Sequence, residues 1–125
     1  MSFENQLEQL GLILPNPAKP AGSYKPCLIV DNIAYISGQG PLLEDGSFAK
    51  GVIGKDIDIE TGQKHAQKCG LAILSALKNE IGDLNKVDQL IKITGFVNCT
   101  SDFTQQPLVI NGCSDLMKEI FGDKG

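Results

Sequence analysis

The chain contains no arginine and no tryptophan, and it has a single histidine, His65. Its 11 basic residues are all lysines, scattered among 15 acids, for a net charge of −4 at pH 7. Gripping a phosphate backbone usually takes clustered Lys and Arg, so this balance argues against a nucleic-acid partner. The missing arginine also removes the side chain best shaped to hold a carboxylate through two parallel hydrogen bonds. No apolar run approaches the roughly 20 residues a membrane span needs, and no basic-then-apolar leader opens the chain. A cytoplasmic protein without a membrane partner is the expectation. Cys27, Cys69, Cys99 and Cys113 are far apart and form no C-x-x-C pair. With one histidine they do not supply the ligands of a structural zinc, so reduced, partly buried thiols and no metal are expected.

What is present is ordinary for a globular protein: 125 residues, 42% hydrophobic and 21% charged. That suits one domain, residues 1–125, divided into an N-terminal extension (1–21) and a core (22–125). In the extension, Ser2 precedes Phe3, Leu7 and Leu10 at helical spacing, and Gly11 closes the helix. Leu14 to Pro20 carries three prolines and cannot be helical, so it is expected to cross the surface in extended form.

Two short apolar runs, Cys27–Val30 and Ile33–Ile36, are joined by Asp31-Asn32, residues that tolerate the positive φ angles of a two-residue hairpin turn. The second run leads into Ser37-Gly38-Gln39-Gly40-Pro41, where a hydroxyl, an amide and two bare glycine backbones meet. A ligand could approach such a backbone closely; a plain Gly-rich turn would look the same. Glu44–Ser47 is a turn, and Phe48–Ile53 is a weak strand candidate. The strongest helix follows over Ile59–Ile81, capped by Asp58 and closed by Gly82, with Ala66, Cys69, Ile73 and Leu77 on its apolar stripe. Val87–Val97 reads as a long strand with Ile91, Ile93, Gly95 and Val97 on one side. A second helix spans Gln105–Phe121, with Thr104 as cap, Pro107 in the first turn, and Val109, Cys113, Leu116, Met117, Ile120 and Phe121 as its buried stripe. Hairpin, helix, strand, helix implies an α+β sandwich with both long helices on one face of a mostly antiparallel sheet. Two such helices offer more apolar surface than three strands cover, so further strands are expected after Gly125.

Several blocks in this order carry a resemblance: Gly22-x-Tyr24, Ser37-Gly38-Gln39-x-Pro41, the helix bearing Gln63, Gly82-Asp83-Leu84, Lys92-x-Thr94-x-Phe96-Val97 and Asp102-Phe103. Together they resemble the RidA family, also called the YjgF or endoribonuclease L-PSP family. The extended N-terminus and the longer stretch Thr104–Asn111 are similar to a longer, mostly uncharacterised subgroup. The resemblance implies a chorismate-mutase-like α+β fold assembled as a homotrimer, with ligand clefts between neighbouring chains. It implies hydrolysis of reactive enamines and imines of the 2-aminoacrylate type to 2-keto acids and ammonia, without a cofactor. Other members are described as ribonucleases or translation inhibitors.

By this resemblance Tyr24 lines the cleft, and Ser37 and Gly38 face the ligand with a hydroxyl and a backbone group. Asn111 matches an asparagine of the second helix. The family's carboxylate-binding arginine and water-placing glutamate have no counterpart and are expected beyond Gly125, which leaves the catalytic residues unassigned.

Three readings remain open from sequence: the deaminase, a non-catalytic trimer that binds a small carboxylate or metabolite, and a ribonuclease, the last disfavoured by charge. His65 beside Lys64 and Lys68 reads as a solvated helix face, and Asp56, Asp58 and Glu60 as acids favoured at a helix N-terminus.

Overall fold

A computed structural model describes residues 2–17 and 19–125; Met1, and Ala18 of the predicted proline-rich extension, lie outside the described residues. Three helices, α1 (Phe3–Gln9), α2 (Ile59–Ile81) and α3 (Gln106–Phe121), stand with one antiparallel hairpin, β1 (Cys27–Val30) and β2 (Ile33–Ile36). This is the α+β arrangement read from the sequence.

Each helix starts and stops where local chemistry dictates. Ser2 accepts the Asn5 N–H at the head of α1, and the Asp58 carboxylate accepts the Thr61 N–H at the head of α2. That bond satisfies one of the donors a helix start leaves unpaired, and it holds the Asp58 carboxyl below the usual carboxylate range. Gly82 and Gly122 end α2 and α3 at φ +86° and +62°, in a region that a side chain disfavours. Thr104 does not cap α3; the cap position is Gln105, whose side chain makes no capping bond, and Pro107 fills the first turn where its missing N–H costs nothing.

The two long helices pack along their length. All six predicted stripe residues of α3, Val109 through Phe121, are buried. On α2 the buried line runs through Gly62, Ala66, Gly70, Leu74 and Leu77, one residue every turn, while Cys69, Ile73 and Ile81 lie at its partly buried margin. Small residues on this line let α3 come close. A Cβ placed on Gly112 would sit 2.0 Å from the Gln63 carbonyl oxygen. His65, expected on a solvated face, is instead half-buried.

The N-terminal helix is pinned across the end of this pair. Phe3 meets Phe121 edge to face, with ring centroids 4.8 Å apart. Glu4 accepts from Lys78 Nζ at 2.7 Å and from the Leu84 N–H at 3.0 Å, so one carboxylate joins α1, α2 and the turn after α2. Leu7 is buried, whereas Leu10, placed with it from sequence, is 37% exposed. Ser75, the one buried polar residue among those described, donates to the Pro15 carbonyl and holds the extended segment against α2.

The hairpin follows the sequence reading closely. Asp31 and Asn32 take φ +50° and +66°, and the register pairs Cys27 with Ile36 and Leu28 with Tyr35. Cys27 and Ile36 face α2; Leu28, Val30, Ile33 and Tyr35 form an exposed apolar face.

Two predicted strands are not paired as strands. Among the described residues Phe48–Ile53 makes only isolated bridges, Leu42 with Phe48 and Ile53 with both Ile57 and Cys99. Val87–Val97 has no ladder among the described residues, since the one sheet is the two-stranded hairpin. A strand exists only with a neighbour to take its N–H and C=O groups. This segment is held instead by side chains and by its ends. Leu90 N–H donates to the Lys124 carbonyl, and Ile53 bridges Asn98 and Thr100 through two backbone bonds of 2.9 and 3.0 Å. Ile93 packs into the core and Gly95 lies under Ile110 of α3, as alternation predicts, but Ile91 is 76% exposed and breaks the pattern.

The four cysteines are free thiols, with Cys27 and Cys113 buried. Burial, and next the neighbouring Cys113 thiol, pushes Cys69 up to about 11 from an ordinary 9.0. At pH 8 its thiolate fraction is therefore roughly 100-fold below that of a free thiol, because each pKa unit is a factor of ten. Slow modification by a disulfide reagent is expected, and a Cys69 label as fast as a peptide thiol would contradict it. The sign for stability follows: between pH 9 and 11 the unfolded chain releases a proton that the folded chain keeps, so stability falls across that window.

Candidate active site

The hairpin positions the site through its register. Because Cys27 pairs with Ile36, the residues just outside the ladder, Lys25-Pro26 and Ser37-Gly38, are brought side by side. Ser37 donates its N–H to the Pro26 carbonyl at 2.9 Å and its hydroxyl to the Lys25 carbonyl. With its proton committed, the Ser37 oxygen presents lone pairs, so toward a ligand it acts as an acceptor. The Gln39 side-chain amide returns to the Ser37 carbonyl at 3.3 Å.

The two glycines of Ser37-Gly38-Gln39-Gly40 have different roles. A Cβ on Gly38 would meet nothing within 4 Å, and among the described residues no hydrogen bond engages its N–H. That backbone is open to a ligand. A Cβ on Gly40 would lie 2.9 Å from the Phe48 ring, so Gly40 is there to let Phe48 cover the turn.

Against this strand end lies an open groove of about 400 Å3, lined by Lys25, Leu28, Tyr35, Ile36 and Ser37. Leu28 and Tyr35 are cross-strand partners and supply the wall. Lys25 and Tyr35 are not among the site residues expected from the sequence, although Tyr35 belongs to the strand that leads into Ser37. The register set by the Asp31-Asn32 turn already paired Tyr35 with Leu28, so that signal was available.

Of the four predicted site residues, Ser37 lines the groove and Gly38 follows it in the chain. Tyr24 precedes Lys25, but a Cβ placed on Gly22 would lie 3.6 Å from its ring and its hydroxyl accepts the Ala21 N–H at 3.3 Å, so the side chain is turned toward the preceding segment. Its side chain does not line the groove. Asn111 is exposed on α3, and α3 makes no contact with the hairpin, so within one protomer it stands apart from Ser37. Among the described residues no cluster of three or more His, Cys, Asp or Glu could hold a metal, and no helix is long and apolar enough to cross a membrane.

A two-stranded hairpin backed by α2, which packs in turn on α3, carries the open Ser-Gly strand end. Residues 4–125 match the family described as "YjgF/chorismate_mutase-like, putative endoribonuclease". The chain belongs to this YjgF/chorismate-mutase-like family. Protein TCP17 of Trypanosoma cruzi is 35% identical over 118 residues, which is 94% of this chain and 74% of that protein. Among solved structures, a protein of Shewanella oneidensis MR-1 described as a "putative endoribonuclease" superposes with a TM-score of 0.95 at 31% identity, covering 99% of this chain and 82% of that one. Atu1372 of Agrobacterium tumefaciens, described as of unknown function, superposes at 0.87 with 37% identity, covering 98% and 76% respectively.

Proposed function

We propose that the protein is a RidA-like deaminase that hydrolyses enamine or imine intermediates to 2-keto acids and ammonia, without a cofactor, in a cleft between subunits of a homotrimer. The observation that carries this reading is the open Ser37-Gly38 strand end, at the position matching the ligand-facing element of the family. In the reaction the enamine first takes its imine form. Water then adds to the imine carbon, the C–N bond breaks, and ammonia leaves as the carbonyl forms. The free Gly38 N–H is suited to donate to an oxygen of the substrate, and the Ser37 oxygen is suited to accept from its nitrogen. The exposed face of Leu28, Val30, Ile33 and Tyr35 supports self-association, since an apolar patch of this kind is normally covered.

A second reading is a non-catalytic trimer that captures a small carboxylate or metabolite. It is favoured by the groove's lining, which holds two hydroxyls and an ammonium but no carboxylate or imidazole to serve as a base. One assay separates the two. Ammonia release from a freshly generated enamine should exceed the buffer rate and fall at least tenfold in Ser37→Ala, if that hydroxyl supplies a contact worth about 1.4 kcal/mol. No acceleration by the wild-type protein would leave the binding reading. The ribonuclease reading is the weakest: with a net charge of −4 and no arginine, tight RNA binding lacks its usual electrostatic source.

A further inference from the structure

We propose that a second groove, built by the N-terminal segment against α2, binds small amines with an apolar body, and that Glu8 selects their charge. Its lining shares no residue with the Ser37 groove, so the inference stands apart from the function proposed there. The walls come from a reversal of the chain. Gly11 takes φ +69° after α1, and the Leu12 N–H then donates to the Leu7 carbonyl at 3.0 Å. Leu12 and Leu14 pack against the core, and the Pro15 carbonyl accepts the Ser75 hydroxyl at 2.6 Å. The result is an open groove of about 430 Å3 whose apolar lining is Leu7, Leu12, Leu14, Pro15 and Pro17. A mainly apolar wall with a few polar groups is the usual makeup of a small-molecule site.

Those polar groups set the sign of the ligand. Glu4, Glu8 and Lys78 are the charged residues of the lining, two carboxylates against one ammonium. Glu4 is fully engaged, since Oε1 accepts from Lys78 and Oε2 from the Leu84 N–H, and the first of these bonds also neutralises Lys78. Glu8 stands one turn beyond Glu4 on α1, so it lies on the same face of that helix. Among the described residues the ion pairs are Lys78 with Glu4 and Lys124 with Asp88, which leaves the Glu8 carboxylate without a cation. A ligand ammonium supplies one, a neutral ligand gains only the apolar wall, and an anion is repelled.

Nuclear magnetic resonance titration with 2-phenylethylamine, a cation at pH 7, and its neutral analogue 2-phenylethanol tests this. The wild-type protein should bind the amine about fivefold more tightly than the alcohol, the upper range for an ion pair at an exposed carboxylate. Amide shifts should centre on Leu7, Leu12 and Asn79 and leave Ser37 and Gly38 unmoved. Glu8→Gln should abolish the preference by weakening the amine alone. Four results would overturn the proposal: no amine binding by wild type, shifts centred on Ser37, an unchanged amine affinity in Glu8→Gln, or an equal loss for both probes, which would mark a structural role.

Discussion

Gly112→Ala is expected to cost about 4 kcal/mol or more, beyond the roughly 1–3 kcal/mol usual for an overpacked core. Taken as a helix residue alone, the change should help, since alanine exceeds glycine in helix propensity by about 1 kcal/mol. The neighbour reverses the sign. A Cβ on Gly112 would lie 2.0 Å from the Gln63 carbonyl oxygen, 2.7 Å from its carbonyl carbon and 2.8 Å from its Cα. All three atoms are backbone, so no rotamer change relieves the clash and α2 and α3 must move apart. Moving apart would also stretch the bond from the Gln63 side-chain amide to the Leu108 carbonyl, 2.8 Å long, which ties α2 to the first turn of α3. Gly70 is the internal control. Its added Cβ would meet the Leu116 Cδ2 at 2.8 Å and the Cys113 Sγ at 3.1 Å, which are side-chain ends that can yield. Gly70→Ala should therefore cost less than Gly112→Ala. Urea unfolding followed by circular dichroism measures both. A neutral or stabilised Gly112→Ala would refute the close approach of the two helices.

That contact also shows what sequence alone conveys here. The helices were legible because their determinants are local: Asp58 and Gly82 bound α2 within its own turns, and the stripe from Val109 to Phe121 repeats at helical spacing. The hairpin was legible for the same reason, since Asp31-Asn32 both carries the turn and sets the register. Pairing across the chain was not. Val87–Val97 has the alternation of a strand, yet a ladder depends on a neighbour that alternation cannot identify. The reason Gly112 must be small lies 49 residues away at Gln63, outside any local pattern. At the site, Ser37 and Gly38 stood out as a hydroxyl and a bare backbone where a strand ends. Tyr24 and Asn111 were matched by resemblance, and a single protomer gathers neither into the groove; a homotrimer, as proposed, is the arrangement that could bring Asn111 of a neighbouring copy near Ser37.

Leu84→Ala is expected to destabilise the protein by about 3 kcal/mol, within the usual 2–5 kcal/mol for emptying a fully buried leucine site. The residue lies in the short turn Leu84–Lys86 after α2 and is fully buried. Its backbone N–H donates to Glu4 Oε2 at 3.0 Å, while Glu4 Oε1 receives Lys78 Nζ at 2.7 Å. Leu84 is therefore where α1, α2 and the start of the Val87–Val97 segment meet. Truncation would remove the side chain from that junction but leave the N–H in place. The hydrogen bond to Glu4 should survive, and the loss should come from the cavity alone. Glu4→Gln makes the complementary change. It removes the charge opposing Lys78, whose side chain is 43% exposed, so screening keeps the cost to about 1 kcal/mol or less. A thermal midpoint lowered by roughly 10 °C in Leu84→Ala and by a few degrees in Glu4→Gln would place the strength of this junction in packing. Equal shifts would transfer it to the ion pair, and the double variant then decides. Losses that add would mean the leucine and the carboxylate act separately, whereas a shortfall would mean that collapse of the Leu84 site already disengages Glu4.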